Sequence, residues 1–308
     1  MIYRVFQFMR SLRNWIIISL IAIFIVACNP AIPPQSAAPT APAQAPTDAE
    51  VRPVGASKVV ALTSLSADII YRLDKTKLVG IPGSRLLREN AELSKITQVS
   101  EGQTPPNLEK IIALKPDLVI GATGFHDQIL AKLKGLGIKT MTSSITSWQS
   151  LEELTKAIAT EIQADPTSLV QSYQSLISAK ATSPKSTLVL VSSQPILAPN
   201  KNSWAGDLLT QFQISNAAAE LQDQSPMRGY ITLSAEKVLE SNPQVLILVD
   251  VGDGTINKLK ETPFWNKLDA VTGDRVYTLD YYGLVNPGSI DAITKACNKL
   301  QEIIKATA

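Results

Sequence analysis

From residue 57 onward, short runs of consecutive apolar residues alternate with stretches whose apolar positions recur every three or four residues. Runs of the first kind read as strands buried on both faces, and stretches of the second as amphipathic helices. Residues 107–121, NLEKIIALKPDLVIG, show both in miniature. Asn107 is a good helix N-cap and Glu109 places a carboxylate in the first turn, where the helix dipole favours it. Leu108, Ile111, Ile112 and Leu114 mark the buried face, Pro116 stops the helix, and Leu118–Ile120 is a buried strand that Gly121 ends. The phrase returns as LSAEKVLESNPQVLILV, residues 233–249, with Ser234 as N-cap, Glu236 in the first turn, Pro243 as breaker and Val245–Val249 as strand. In both copies the glutamate precedes the proline by seven residues. A repeated unit with a glutamate in register predicts two related lobes.

The remaining pattern fits that reading. Strands are expected at Val59–Leu62, Leu78–Ile81, Ile96–Val99 and Gly137–Thr140. Helices are expected from about Ala67 to Leu73, from His126 to about Leu136, and over Trp148–Ile162. Asp165 and Pro166, as N-cap and first residue, start a longer helix that ends near Ala181–Pro184. The alternation then restarts with Thr187–Val191, a helix from about Ala205, the Glu236 unit, Arg275–Leu279 and a last helix from about Ile290. Strand–helix alternation implies parallel sheets. The expected fold is therefore α/β, with two Rossmann-like lobes at 57–163 and 185–308. A single long helix, 164–184, joins them, and the ligand cleft lies between them at the carboxyl ends of the strands.

The N-terminus is of another kind. Arg4, Arg10 and Arg13 precede the uncharged run Trp15–Ala27, WIIISLIAIFIVA. That run is short for a membrane span but suits a signal sequence, assigned to 1–27. It ends Ile25-Val26-Ala27-Cys28, which resembles a bacterial lipobox. The expectation is lipidation of Cys28, export, and attachment to the outer face of the cytoplasmic membrane; an uncleaved N-terminal anchor helix is the alternative. Residues 28–56, rich in Pro and Ala, read as a tether without a core. The 29 basic residues less the three signal arginines leave 26 against 27 acidic ones, which gives no footprint for nucleic acid. With Cys28 lipidated, Cys297 has no partner. It falls on the apolar stripe Ile290, Ile293, Leu300, Ile304 and reads as a buried thiol.

Five stretches together resemble the periplasmic binding proteins that serve ABC importers of iron–siderophores, haem and cobalamin. They are VVALTSLSADII (59–70), PNLEKIIALKPDLVIG (106–121), LKGLGIKT (133–140), GYITLSAEKVLESNPQVLILV (229–249) and DAVTGDRVYTLD (269–280). The likeness runs over about 57–305. The family often carries Gly-Gly where this chain has Gln213-Ile214-Ser215-Asn216. The resemblance implies that Glu109 and Glu236 dock the two lobes onto the permease subunits. A two-lobed protein presenting two like charges suits a two-fold partner. The alternative is that both are simply helix N-terminal acids.

Candidate ligand contacts sit on loops at strand ends. They are Ser64, Ser84, Arg85, Gln103, Phe125 and His126 in the first lobe, and Asn202, Trp204, Arg228, Tyr230, Tyr281 and Tyr282 in the second. The Asn202–Trp204 and Tyr281–Tyr282 loops match regions that contact ligand in relatives. Aromatic rings offer flat area with polar edges, and arginine a planar fork for anionic oxygens. A single histidine excludes a multi-histidine metal site. No Gly-x-Ser-x-Gly elbow, P-loop or cysteine cluster points to an enzyme. The reading is a monomeric solute-binding protein without a resident cofactor. It captures a metal chelate, a ferric siderophore first and cobalamin or haem next, for a permease dimer driven by ATPase subunits. His126, Tyr281 or Tyr282 could ligate a haem iron. A bilobal chelatase-like enzyme and a scaffold or sensor lipoprotein are the alternatives from other classes.

Overall fold

The computed structural model describes residues 55–102, 104–182, 184–222, 228–252 and 254–308. The signal, Cys28, Gln103 and nearly all of the tether lie outside the described residues.

The first lobe contains β1 (Val59–Ala61), α1 (Ser64–Asp74), β2 (Leu78–Ile81), α2 (Arg85–Arg88), β3 (Thr97–Gln98) and α3 (Leu108–Ala113). It continues with β4 (Leu118–Ala122), α4 (Asp127–Gly135), β5 (Lys139–Ser143) and α5 (Trp148–Ile162). After α6 (Thr167–Leu176) the second lobe begins with β6 (Ser186–Leu190), β7 (Ser192–Ser193), β8 (Ile196–Pro199), α7 (Trp204–Gln211) and β9 (Ser215–Asn216). Then come β10 (Tyr230–Leu233), α8 (Ala235–Ser241), β11 (Val245–Asp250), α9 (Thr255–Lys260) and α10 (Asp269–Thr272). The chain closes with β12 (Val276–Asp280), α11 (Tyr281–Leu284) and α12 (Ile290–Thr307).

The first sheet runs β3-β2-β1-β4-β5 and the second β12-β11-β6-β9, parallel throughout. In each, the strand of the repeated unit pairs with the first strand of its lobe: β4 with β1, and β11 with β6. The antiparallel trio β10-β8-β7 is an addition that the apolar pattern does not announce.

Burial explains why these runs are uninterrupted apolar residues. Val59, Leu118 and Ile120 face one core, while Val60 and Val119 face a second cluster on the outside of the first lobe. In β11, Val245, Ile247 and Val249 share the core of Val59, while Leu246 and Leu248 pack outward. Alternate residues of a strand point to opposite faces, so both faces demand apolar side chains. One core thus spans both lobes, with Trp148, Trp204 and Phe212 within it. Cys297 lies there too, and burial pushes its thiol up to about 12.

The expected connecting helix over 164–184 is corrected. Only Thr167–Leu176 is helical, and α5 ends separately at Ile162 with Gln163 left-handed. Three serine hydroxyls along the segment bond back to carbonyls: Ser172 to Leu169, Ser175 to Ser172 and Ser178 to Ser175. Gln301 of α12 donates to the Leu176 carbonyl at 2.9 Å, and the Ala181 N–H donates to Phe212 at 2.9 Å. Side-chain competition and ties to the second lobe end the helix early.

Two carboxylates join the lobes reciprocally. Asp68 of α1 accepts the Ile290 N–H, first of α12, at 2.7 Å. Asp207 of α7 accepts the Trp148 N–H, first of α5, at 2.7 Å. The first helix after the opening strands of each lobe therefore serves the last helix of the other. The recipients match: Ser289 and Ser147 are the N-caps, accepting from Ala292 and Ser150. A helix start leaves its first N–H groups without internal partners and carries partial positive charge, so a carboxylate there satisfies both. Asp68 is 3% exposed. Burial raises its pKa from the ordinary aspartate value, against the pull of Arg72 and of the Ile290 N–H. Arg72 holds Asp68 at 2.9 Å and Asp291 at 2.9 Å, and those two carboxylates push its pKa up despite partial burial.

Replacing Asp68 by Ala leaves Arg72 short of a partner and the Ile290 N–H unmet. The expected loss of unfolding free energy in urea is about 3 kcal/mol. Asp207→Ala removes a cap without a buried ion pair, with an expected loss of about 1 kcal/mol.

Candidate functional site

The carboxyl ends of the strands meet a cavity of about 1040 Å³ lined by both lobes. The first lobe contributes Arg85, Leu86 and Glu89 in and after α2. The second contributes Asp250 and Val251 at the end of β11, and Asp280, Tyr281 and Tyr282 at the end of β12. Asp68, Ser289 and Asp291 also line it, so the Asp68 bridge between the lobes lies at its wall.

Three expected contacts come together. The Tyr281 and Tyr282 rings meet edge to face with centroids 5.3 Å apart. The Arg85 guanidinium sits 5.8 Å from the centre of the Tyr282 ring, a cation–π contact that crosses from one lobe to the other.

The other expected contacts are placed elsewhere. Trp204 is corrected from cleft to core: it is 3% exposed, stacks on Trp148 at 5.9 Å and 15°, and donates its indole N–H to the Gly283 carbonyl at 2.8 Å. Tyr230 is 8% exposed and, among the described residues, its hydroxyl has no hydrogen-bond partner. Burial pushes its phenol pKa well up, with Tyr281 adding to the effect. Ser64 opens α1 half-buried, while Thr63 beside it makes the cap. Ser84 holds the N-cap position of α2 without a side-chain cap bond. Asn202 and Arg228 are exposed, and neither lines this cavity. Phe125, 88% exposed, stands at the tip of the turn after β4.

His126 holds that turn together. Its Nδ1 accepts the Ala122 N–H at 2.9 Å, so the neutral ring carries its proton on Nε2. Burial lowers its pKa, and Asp127 pulls the other way. The turn is tight: a Cβ on Gly121 would lie 2.8 Å from that of His126.

Glu109 and Glu236 are exposed in the first turns of α3 and α8. Asn107 and Ser234 cap these helices identically, each side chain accepting the N–H of the residue after the glutamate. Among the described residues neither glutamate is ion-paired within 4 Å.

The acidic share of the wall went unread in the sequence. Asp250 and Asp280 close two apolar runs, LILVD and VYTLD, and stand side by side in register. A carboxylate directly after a buried strand was the available signal. Among the described residues, no three His, Cys, Asp or Glu side chains are grouped to hold a metal ion.

The family profile described as Periplasmic binding protein matches residues 59–282. An uncharacterized ABC transporter substrate-binding lipoprotein, YvrC, of Bacillus subtilis is 28% identical over 242 residues, covering 72% of each chain. The vitamin B12-binding protein of Salmonella typhi is 25% identical over 256 residues, covering 80% of this chain and 91% of that one. In fold, the chain resembles the crystal structure of the vitamin B12-binding protein BtuF of Vibrio cholerae, with a TM-score of 0.62 and 22% identity over 82% of this chain and 98% of that one. The chain thus belongs to the periplasmic binding protein family.

Proposed function

We propose that this chain, anchored to the membrane through a lipid on Cys28, captures a corrinoid-type metal chelate and delivers it to a permease. The observation that carries the choice of ligand is the charge of the cavity wall. Glu89, Asp250 and Asp280 outnumber Arg85 and Lys295, and Asp68 and Asp291 are already paired with Arg72. Arg85 is committed to the face of Tyr282, and the exposed Arg228 does not line the cavity. An anionic ferric catecholate would meet like charge here, at about 1 kcal/mol per pair at 4 Å in water and more in a partly enclosed site. A corrinoid is neutral or cationic at its centre. Its amide arms donate hydrogen bonds to carboxylates, and its macrocycle offers a flat face to the tyrosine pair. The vitamin B12-binding relatives point the same way. A neutral ferric hydroxamate fits the same wall charge and is the second reading.

Glu109 and Glu236 are proposed as the contacts to the permease, one per lobe. Their support is topological: each rides the short helix before the strand that pairs with the first strand of its sheet.

Calorimetric titration of residues 53–308, a single compact unit, with cyanocobalamin should saturate at micromolar affinity or tighter, about −8 kcal/mol. Tighter binding of a ferric tricatecholate than of cyanocobalamin would overturn the corrinoid reading. Replacing Glu109 and Glu236 together by Ala should abolish uptake in cells while leaving that affinity within about twofold, less than 1 kcal/mol. Normal uptake by the double variant refutes the docking role.

A further inference from the structure

We infer that Trp204 is a positioning residue for the aromatic wall of the cleft, acting through the Gly283 carbonyl on Tyr282. The inference rests on the cleft being the ligand site.

Tyr282 belongs to α11, a turn more than a helix. Tyr282 and Gly283 leave helical geometry, and Gly283 has a φ of +94°. Its hydrogen bonds are internal, from Gly283 N–H to Asn286 and from Val285 and Asn286 N–H to Tyr281. The Gly283 carbonyl is the exception. It faces the core, and among the described residues the Trp204 indole N–H is its one donor, at 2.8 Å. Behind the turn there is no slack. A Cβ on Gly283 would sit 2.1 Å from the Ala292 carbonyl of α12, so the backbone is pressed against that helix.

Trp204 is itself held from the other lobe. Trp148, the first residue of α5, stacks on it nearly parallel at 5.9 Å, and Asp207, three residues after Trp204, binds the Trp148 N–H. Contacts therefore run from Trp148 in the first lobe to Trp204, Gly283 and Tyr282 in the second, and back to Arg85 in the first. In that path a single polar bond connects the buried indole pair to the cleft. Remove it and a buried carbonyl loses its donor, so the turn gains reason to move and Tyr282 moves with it. Stacked rings alone would not fix the wall, because they do not reach the turn's polar atoms.

The test uses the full chain in detergent, cyanocobalamin as probe, and Trp204→Phe, Tyr282→Ala and the double variant. Phe keeps an aromatic ring in the stack and deletes the N–H. Each single variant should weaken binding by about tenfold, and the double by no more than the worse single, because interactions in one path are not additive. In parallel, 3-fluorotyrosine incorporation, with Tyr282 assigned through Tyr282→Phe, should show its fluorine resonance displaced by Trp204→Phe without ligand. Losses that add in the double variant, or an unmoved resonance, overturn the proposal. If Trp204→Phe does not unfold cooperatively, benzothienylalanine placed at 204 removes the N–H alone and the same outcomes decide. If wild-type protein does not bind cyanocobalamin, the corrinoid reading fails, and the resonance still decides the positioning role.

Discussion

The arrangement of the lobes turns on two charge-assisted hydrogen bonds. Asp68 and Asp207 each leave their own lobe to meet the first N–H of the other lobe's last helix, both at 2.7 Å. A helix start needs an acceptor, and a buried carboxylate needs donors. The Ile290 and Trp148 N–H groups meet their carboxylates only when the lobes are in register. The apolar core that spans the two sheets supplies the attraction, which is non-directional. The carboxylates supply direction, and with it the geometry of the cleft. That Asp68 also lines the cavity means that the bond joining the lobes and the surface offered to a ligand are made by one residue.

Much of the fold was legible because parallel strands buried on both faces cannot hide. Val59–Ala61, Leu118–Ala122 and Val245–Asp250 show as apolar runs whatever the rest of the chain does. The repeated Glu–Pro spacing was legible for a related reason, since cap, first-turn acid and breaker are all local. What was not legible is non-local. Asp68 sits in SLSADII as an ordinary helical acid, and its partner lies 222 residues away. Trp204 follows a capping serine at a strand-end loop, and nothing local says whether such a ring faces a ligand or another tryptophan. The connecting helix failed similarly: Pro166 holds the N-cap position and the helix starts at Thr167, whose N–H donates to the Asp165 carboxylate at 2.9 Å, while its end is set by Gln301 and Phe212. The strands β7 and β8 were missed because they are short and interrupted by Pro195.

The site divides by the same line. Arg85, Tyr281 and Tyr282, conspicuous in the sequence as cationic and aromatic residues after strands, meet at the cavity. The carboxylates of the wall were passed over because acids at strand ends are common and usually solvated. They nonetheless outnumber the cations that line the cavity. The glutamates on α3 and α8 are a different kind of surface, exposed, capped alike and remote from the wall residues in the topology.

The reciprocity of the two caps has a consequence for origins. A single lobe would carry one carboxylate reaching outward and one helix start lacking its acceptor. Two copies of such a lobe, related by a two-fold axis, would complete each other at both points, as an isologous interface requires. The present chain makes both of those contacts within one polypeptide, between halves joined through α6, so a pattern that a closed dimer would build from two chains is here made by one.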